Sequence, residues 1–196
     1  MPTINNAIVF SQEALGKIQD AKAKPGYSHK SWESDDLLSV RREIRDFYRR
    51  EQRLVCAYCR EVISARAAAS APIEHIAPKS AYLQFMFEPK NLCVVCGDCN
   101  EYKSNREVLA EPVMRRENKR DYPLDSDNYR SYHPHLDDYQ AHILKVEHLY
   151  FQRSPKGAYT IYACNLNRFV EMFGMSQEML DNIQVMARQE RFHNEA

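Results

Sequence analysis

Two Cys-x-x-Cys pairs, Cys56/Cys59 and Cys96/Cys99, limit what this chain can fold into more than any other feature. Four thiolates in two such pairs suit a closed tetrahedral Zn²⁺ site, which fastens together backbone segments that are distant in sequence. Between the pairs lies Ile73-Glu74-His75-Ile76, and the second pair runs straight into Asn100. A purely structural zinc ribbon has no use for that carboxylate, imidazole and carboxamide.

Metal is expected rather than disulfides because the chain reads as cytoplasmic. Met1-Pro2-Thr3-Ile4-Asn5-Asn6 lacks a basic region followed by an apolar run, and no segment approaches the roughly 20 apolar residues of a membrane helix. Four of the six cysteines have metal spacing, and Cys93 and Cys164 read as buried thiols. With 196 residues, 44% of them apolar, the chain can bury a core as one domain or as a catalytic centre with helical flanks.

Residues 11–22 read as a short helix ended by Lys24-Pro25-Gly26. Ser34 offers an N-cap, and Leu37, Val40, Ile44, Phe47 and Tyr48 follow at helical spacing, which predicts an amphipathic helix to about Arg53 with its arginines outward. Trp32 reads as a packing anchor. Leu54-Val55 and Glu61-Val62-Ile63 form the arms of a hairpin around the first knuckle, and residues 65–71 are a small-residue connector. Residues 72–76 and 91–95 are expected strands and Asn100 to about Leu109 a helix, a ββα order held by zinc. In the tail, His133, His135 and His142 with two aspartates lack the partners to close a second metal shell. Residues 143–151 and 158–163 read as two strands, residues 166–173 as a helix stopped by Gly174, and Ser176 caps a last helix carrying Met179, Leu180, Ile183, Met186 and Ala187.

The central constellation is the kit for metal-assisted phosphodiester hydrolysis. One Mg²⁺ held only by Glu74 and Asn100 keeps most of its positions for water and phosphate. His75 is the base candidate, since an imidazole with a pKa near 6.5 accepts a proton near neutral pH. Adjacent strand residues point to opposite faces, so Glu74 and His75 share a site only if the strand is irregular there, as Pro72 and Pro78 allow.

Here the chain resembles the HNH endonucleases, the ββα-metal nucleases. Over residues 54–107 the likeness rests on Cys-x-x-Cys, Glu74-His75-Ile76, Pro78-Lys79-Ser80, Asn91-Leu92 and Cys96-x-x-Cys99-Asn100-x-x-Lys103. The resemblance implies a treble-clef-like α+β core with flanking helices and a C-terminal hairpin-plus-helices extension. It makes His75 the general base, Asn91 the residue that orients it, and Glu74 and Asn100 the ligands of the catalytic ion. Glu74 stands where the family commonly has Asp, and Asn100 where it often has His. The second change gives an HNN variant suited to a hard ion such as Mg²⁺ or Mn²⁺. The division implied is a helical region over 1–53, the nuclease core over 54–110 and an extension over 111–196.

A narrower resemblance, carried by Pro78-Lys79-Ser80, Pro134-x-x-Asp137-x-x-x-x-His142 and Leu166-Asn167-Arg168, is to the HNH effectors of Septu-type and retron-associated anti-phage systems. It implies a partner ATPase docked by the tail.

Net charge is zero, 27 basic residues against 27 acidic, so a nucleic-acid argument must be local. Arg41, Arg45, Arg49 and Arg53 form a helical stripe with Arg42 and Arg50 beside it, and Lys103, Arg106, Arg115, Arg116, Lys119 and Arg120 form a second group. Each reads as a phosphate-contacting patch or as a solvated face balanced by Glu43, Asp46, Glu51 and Glu117. Beside a nuclease-like centre at least one patch is expected to meet phosphate, with Lys79, Lys103 and Arg106 the nearest candidates. DNA is the first expected substrate, although phosphate contacts alone do not distinguish it from RNA or tRNA. The competing reading is a non-catalytic zinc module for protein or nucleic-acid interaction, which has no use for Glu74, His75 or Asn100.

Overall fold

Ser11 opens the first element by accepting the Ala14 amide at 3.2 Å, and helix α1 (Gln12–Ala23) follows, burying Ala14, Ile18 and Ala21. The computed structural model describes residues 3–111 and 121–194. Helix α2 (Leu38–Glu51) is preceded by a 3-10 turn over Asp35–Leu37, so the regular helix starts later than the Ser34 cap signal implies. Leu37, Val40, Ile44 and Tyr48 are buried along one stripe, as their spacing predicts. The helix ends at Glu51 because Arg53 and Leu54 both take left-handed backbone, with φ of 53° and 58°.

The arginine stripe does not face outward as expected. Arg41 donates to the carbonyls of Trp32 and Ser34, Arg45 to Ala71 at 3.1 Å, and Arg49 to Ala67 at 2.8 Å. The 65–71 connector lacks regular structure, so its carbonyls take side-chain donors in place of a backbone ladder. Arg42, Arg50 and Arg53 alone of these six remain exposed. In the second basic group, Arg115, Arg116, Lys119 and Arg120 lie outside the described residues, as does Glu117.

Strands β1 (Ile73–His75) and β2 (Leu92–Val94) pair antiparallel, with Glu74 opposite Cys93 and His75 opposite Leu92. Helix α3 (Gly97–Lys103) follows directly. It starts three residues before the expected Asn100 and stops well before Leu109. The Cys96 sulfur caps its first turn by accepting the Cys99 amide, and Ser104 ends it at φ 45°. Gln52, at the foot of α2, pairs with β2 as a third strand would: its side-chain oxygen accepts the Val94 amide at 2.8 Å and its nitrogen donates to the Val94 carbonyl at 2.7 Å. Helix α2 is thereby fixed to the ββα unit.

In the C-terminal part, helix α4 (Tyr139–His142) leads into a hairpin of β3 (Ile143–Val146) and β4 (Leu149–Gln152). The single strand expected over 143–151 is itself this hairpin, turning at Glu147-His148, and the strand expected over 158–163 is instead helix α5 (Pro155–Ala163). Ser154 caps it by accepting the Gly157 amide, and Pro155 supplies a preset φ in its first turn. Gly157, expected with Ser154, Pro155 and Lys156 to turn a hairpin, lies inside α5 instead: a Cβ there would meet the His142 carbonyl oxygen at 1.8 Å, so only glycine allows α5 this close to α4. Helices α6 (Arg168–Phe173) and α7 (Gln177–Asn194) complete the chain, with Gly174 at φ 75° between them and the Ser176 hydroxyl accepting the Met179 amide. Met179 is buried as expected, while Leu180 and Ile183 are half-buried; the side chains of Met186 and Ala187 lie outside the described residues.

The fold is thus α+β with two two-stranded sheets. One apolar cluster runs from Ile4 through Tyr48, Ile76 and Val94 to Leu166, so the three regions share a single core. No helix among the described residues is long and apolar enough to cross a membrane.

His133 and His135 belong to this core. The His135 amide donates to His133 Nδ1 at 3.2 Å, so the neutral ring carries its proton on Nε2 and gives it to the Tyr122 oxygen at 2.8 Å. His135 Nε2 donates to the Leu92 carbonyl at 2.8 Å. Burial holds His133 well below its ordinary pKa and lowers His135 to about 4. The unfolded chain binds protons near pH 6.5 and the folded chain does not, so their contribution to stability is complete above pH 6.5 and is lost as pH falls toward 4. Chemical denaturation should show stability level in this respect above pH 6.5 and falling below it by up to about 1.4 kcal/mol per pH unit for each such histidine, and His135→Asn should flatten that slope.

Candidate functional site

The two knuckles meet. The sulfurs of Cys56, Cys59, Cys96 and Cys99 all lie within 4.8 Å of one another, and those of Cys59 and Cys96 are 3.7 Å apart. Zinc–sulfur bonds of about 2.3 Å make a tetrahedron with edges of about 3.8 Å, so the set fits zinc, whereas a disulfide needs about 2.05 Å. The backbone prepares the sulfurs for negative charge: the Cys96 amide donates to Cys56 Sγ at 3.3 Å and the Cys99 amide to Cys96 Sγ at 3.4 Å. Around the first knuckle, Val55 and Val62 form a single antiparallel bridge where a hairpin was expected, and Arg60 closes the turn at φ 61°. Cys93 and Cys164 are buried and free, outside the group of four.

Beside this centre, Glu74, His75, Lys79, Asn100 and Ser104 line one cleft of about 560 Å³. Strand β1 is three residues long and stops at His75, which lets both neighbours border the same space. Glu74 and His75 are buried and Asn100 is half-buried in the first turn of α3.

His75 is held from two sides. Its Nε2 lies 3.1 Å from the Met86 carbonyl, which can only accept, so the proton sits on Nε2 and Nδ1 keeps its lone pair. Trp32 packs edge-on against the ring with centroids 4.5 Å apart. Trp32 is therefore a packing anchor for the imidazole itself, a contact its position 43 residues upstream gave no means of reading. Burial, with the positive charge of Lys79, lowers the His75 pKa to about 3, so an activity window centred on the reference value is not what the folded site supports.

Asn91 does not touch the ring. Its Oδ1 accepts the Ala77 amide at 2.7 Å, and its Nδ2 donates to the carbonyls of Ala77 at 3.1 Å and Phe85 at 2.9 Å. It clamps the ends of the irregular segment that carries Met86. Any orientation it gives His75 passes through that backbone.

Lys103 is 1% exposed and faces inward, so it is not a phosphate contact. Its ammonium is ion-paired with Glu74 and donates to the His75 carbonyl at 3.1 Å. Burial pushes the Glu74 carboxyl up, and Lys103 opposes that shift. Arg106 donates to the Tyr102 carbonyl and to the Tyr162 hydroxyl at 3.0 Å, stacking on the Tyr162 ring. Of the three basic candidates, only Lys79 borders the cleft. The four sulfurs lie outside the lining of this cleft, to which Glu74 brings a carboxylate and Asn100 a carboxamide.

The C-terminal part also reaches the cysteines. Tyr150 donates to the Cys59 carbonyl at 2.6 Å, and Arg168 sits against Cys96 and Cys99. Among the described residues, the four cysteines are the one group of three or more His, Cys, Asp or Glu placed to hold a metal, and His133, His135 and His142 are engaged elsewhere.

No protein-family model, curated protein or solved structure matches this chain.

Elemental analysis of the purified protein should find about one zinc per chain, and Cys56→Ala should lose both metal and fold, since structural zinc contributes roughly 10 kcal/mol or more in small zinc modules. A cooperatively folding, zinc-free Cys56→Ala protein contradicts the centre. Asn91→Ala leaves one buried amide and two carbonyls without this partner and should lower unfolding free energy by about 3 kcal/mol or more, read as a fall in the urea midpoint.

Proposed function

We propose that this chain is a metal-dependent endonuclease of HNH type, hydrolysing the phosphodiester backbone of nucleic acid, DNA first, and serving as the nuclease of an anti-phage system together with a partner ATPase. The observation that carries the reading is the convergence of Glu74, His75 and Asn100 on one cleft beside the four-cysteine centre. The defence role and the ATPase rest on the resemblance of the sequence motifs alone.

Glu74 and Asn100 offer the hard oxygen donors that Mg²⁺ or Mn²⁺ prefers. Such an ion, when bound, supplies charge neutralisation at the phosphoryl and leaving oxygens. His75 accepts the proton of the attacking water at Nδ1, the nitrogen its Met86 bond leaves free. Burial keeps the ring in its base form, though a weak one. A phosphodiester anion placed beside it favours the imidazolium and so raises its basicity. Lys79, on the cleft wall, neutralises part of the phosphate charge. Lys103 pairs with Glu74, opposing the upward push of burial on its carboxyl, and anchors the carbonyl of His75, so both side chains are fixed to the end of α3.

Plasmid DNA and tRNA incubated with the purified chain, with and without Mg²⁺ and the candidate ATPase, test the reading. His75→Ala should lower cleavage by about 10² to 10⁴ while keeping zinc and fold. Glu74→Ala and Asn100→Ala should lose comparably and recover in part at high Mg²⁺ or Mn²⁺, which His75→Ala should not. Equal cleavage with Ala at position 75 sinks this mechanism, and a zinc-loaded protein that cleaves neither substrate under any of these conditions returns the chain to a zinc interaction module.

A further inference from the structure

Arg168, the first residue of α6, lies more than 60 residues beyond the last knuckle and yet meets it with every nitrogen. Its Nη2 donates to Cys96 Sγ at 3.7 Å, its Nη1 to Cys99 Sγ at 3.9 Å and to the Asn165 carbonyl at 3.2 Å, and its Nε to Asp98 at 3.1 Å. The side chain is 18% exposed, so this fork is mostly withdrawn from water, where hydrogen bonds to charged sulfur are strongest. Cys96 is the half-buried member of the four cysteines, and the guanidinium stands over it.

Four thiolates around one Zn²⁺ leave two net negative charges, and Asp98 adds another beside them. A cation with donors on two sulfurs draws electron density from them, which makes them weaker bases toward solvent protons and weaker nucleophiles toward oxidants and alkylating agents. Lysine supplies the charge without the planar fork. We infer that Arg168 is the positioning residue of the four-cysteine metal centre: it offsets the thiolate charge, shields Cys96, and locks α6 onto the first turn of α3. The inference rests on the reading of the four cysteines as a zinc site and not on the nuclease reading. It makes the C-terminal part a component of the metal centre, since the same turn of α3 carries Asn100.

The test compares wild-type chain, Arg168→Gln, Arg168→Lys and Met172→Ala. Met172 is 71% exposed on the same helix and serves as the control for loosening of α6. Zinc release to 4-(2-pyridylazo)resorcinol should be about 10- to 100-fold faster in Arg168→Gln, the usual range for removing a partner of a metal ligand, intermediate in Arg168→Lys, and unchanged in Met172→Ala. In the Co²⁺-substituted proteins the sulfur-to-metal charge-transfer band should move to lower energy in Arg168→Gln, because the sulfurs regain electron density. Iodoacetamide should label Cys96 faster in the same variant. If Arg168→Gln does not fold, Arg168→Lys decides: release and spectrum identical to wild type overturn the inference. So does equal acceleration by Met172→Ala, which would place the effect in helix packing. A wild-type chain purified without metal overturns the zinc reading, and this inference with it, before any variant is made.

Discussion

Four sulfurs bring residues 56–59 and 96–99 to one point, and the placement of the candidate site follows from that closure. The 36 residues between the knuckles contain two strands of three residues each, too short to hold a sheet together by their own ladder. A metal held by the four sulfurs would remove the freedom of the loop, and Gln52 extends the small sheet by hydrogen-bonding Val94 on both sides. Helix α3 starts at the second knuckle with a cysteine sulfur as its cap, so the direction of the helix and the position of Asn100 are set by the same cluster of sulfurs that is placed to hold a metal. The tail is tied in by Tyr150 and Arg168 at the knuckles and by Tyr122, His133 and His135 behind β2.

The second constraint is the burial of Glu74. A carboxylate 4% exposed needs a counter-charge, and Lys103, one helical turn after Asn100, supplies it. Breaking such a buried pair by removing one partner commonly costs about 3–5 kcal/mol, because the other charge is left without compensation. An apolar pair of the same volume would hold β1 to α3 as well or better. The presence of two charges at this junction therefore fits the proposed role for the carboxylate in the cleft that Glu74 lines.

Much of this was legible in the sequence. Cysteine spacing located the metal centre, because tetrahedral thiolate sites use paired ligands on tight turns. The order Glu74, His75, Asn100 located the cleft, and the spacing of Val40, Ile44 and Tyr48 located the buried face of α2. What could not be read has a common cause in long-range polar demand. The arginines at 41, 45 and 49 look like a solvated stripe until the bare carbonyls of residues 67 and 71 are set against them. Lys103 looks like a surface lysine until the buried carboxylate beneath it is known. Asn91 acts on backbone, since the segment from residue 76 to 91 has no ladder to satisfy its amides. Over residues 158–163, the β-branched and aromatic composition suited a strand, but the Ser154-Pro155 start signal and the close contact at Gly157 made the segment a helix.

The same polar demand explains why the imidazole is so tightly enclosed. In the proposed mechanism His75 presents one nitrogen to a water molecule, which requires that the ring neither rotate nor exchange tautomers. Met86 fixes the proton on Nε2 and Trp32 fixes the plane of the ring, while the strand carrying His75 is held through its carbonyl by Lys103. Burial withdraws water from the ring and lowers its pKa, with the charges of Lys79 and Lys103 adding to the shift and the Met86 bond opposing it. Positioning and basicity are thus opposed at His75. The arrangement suits a site whose ligand is itself an anion, because the negative charge arriving with a phosphodiester restores the basicity that burial removed while leaving the geometry in place.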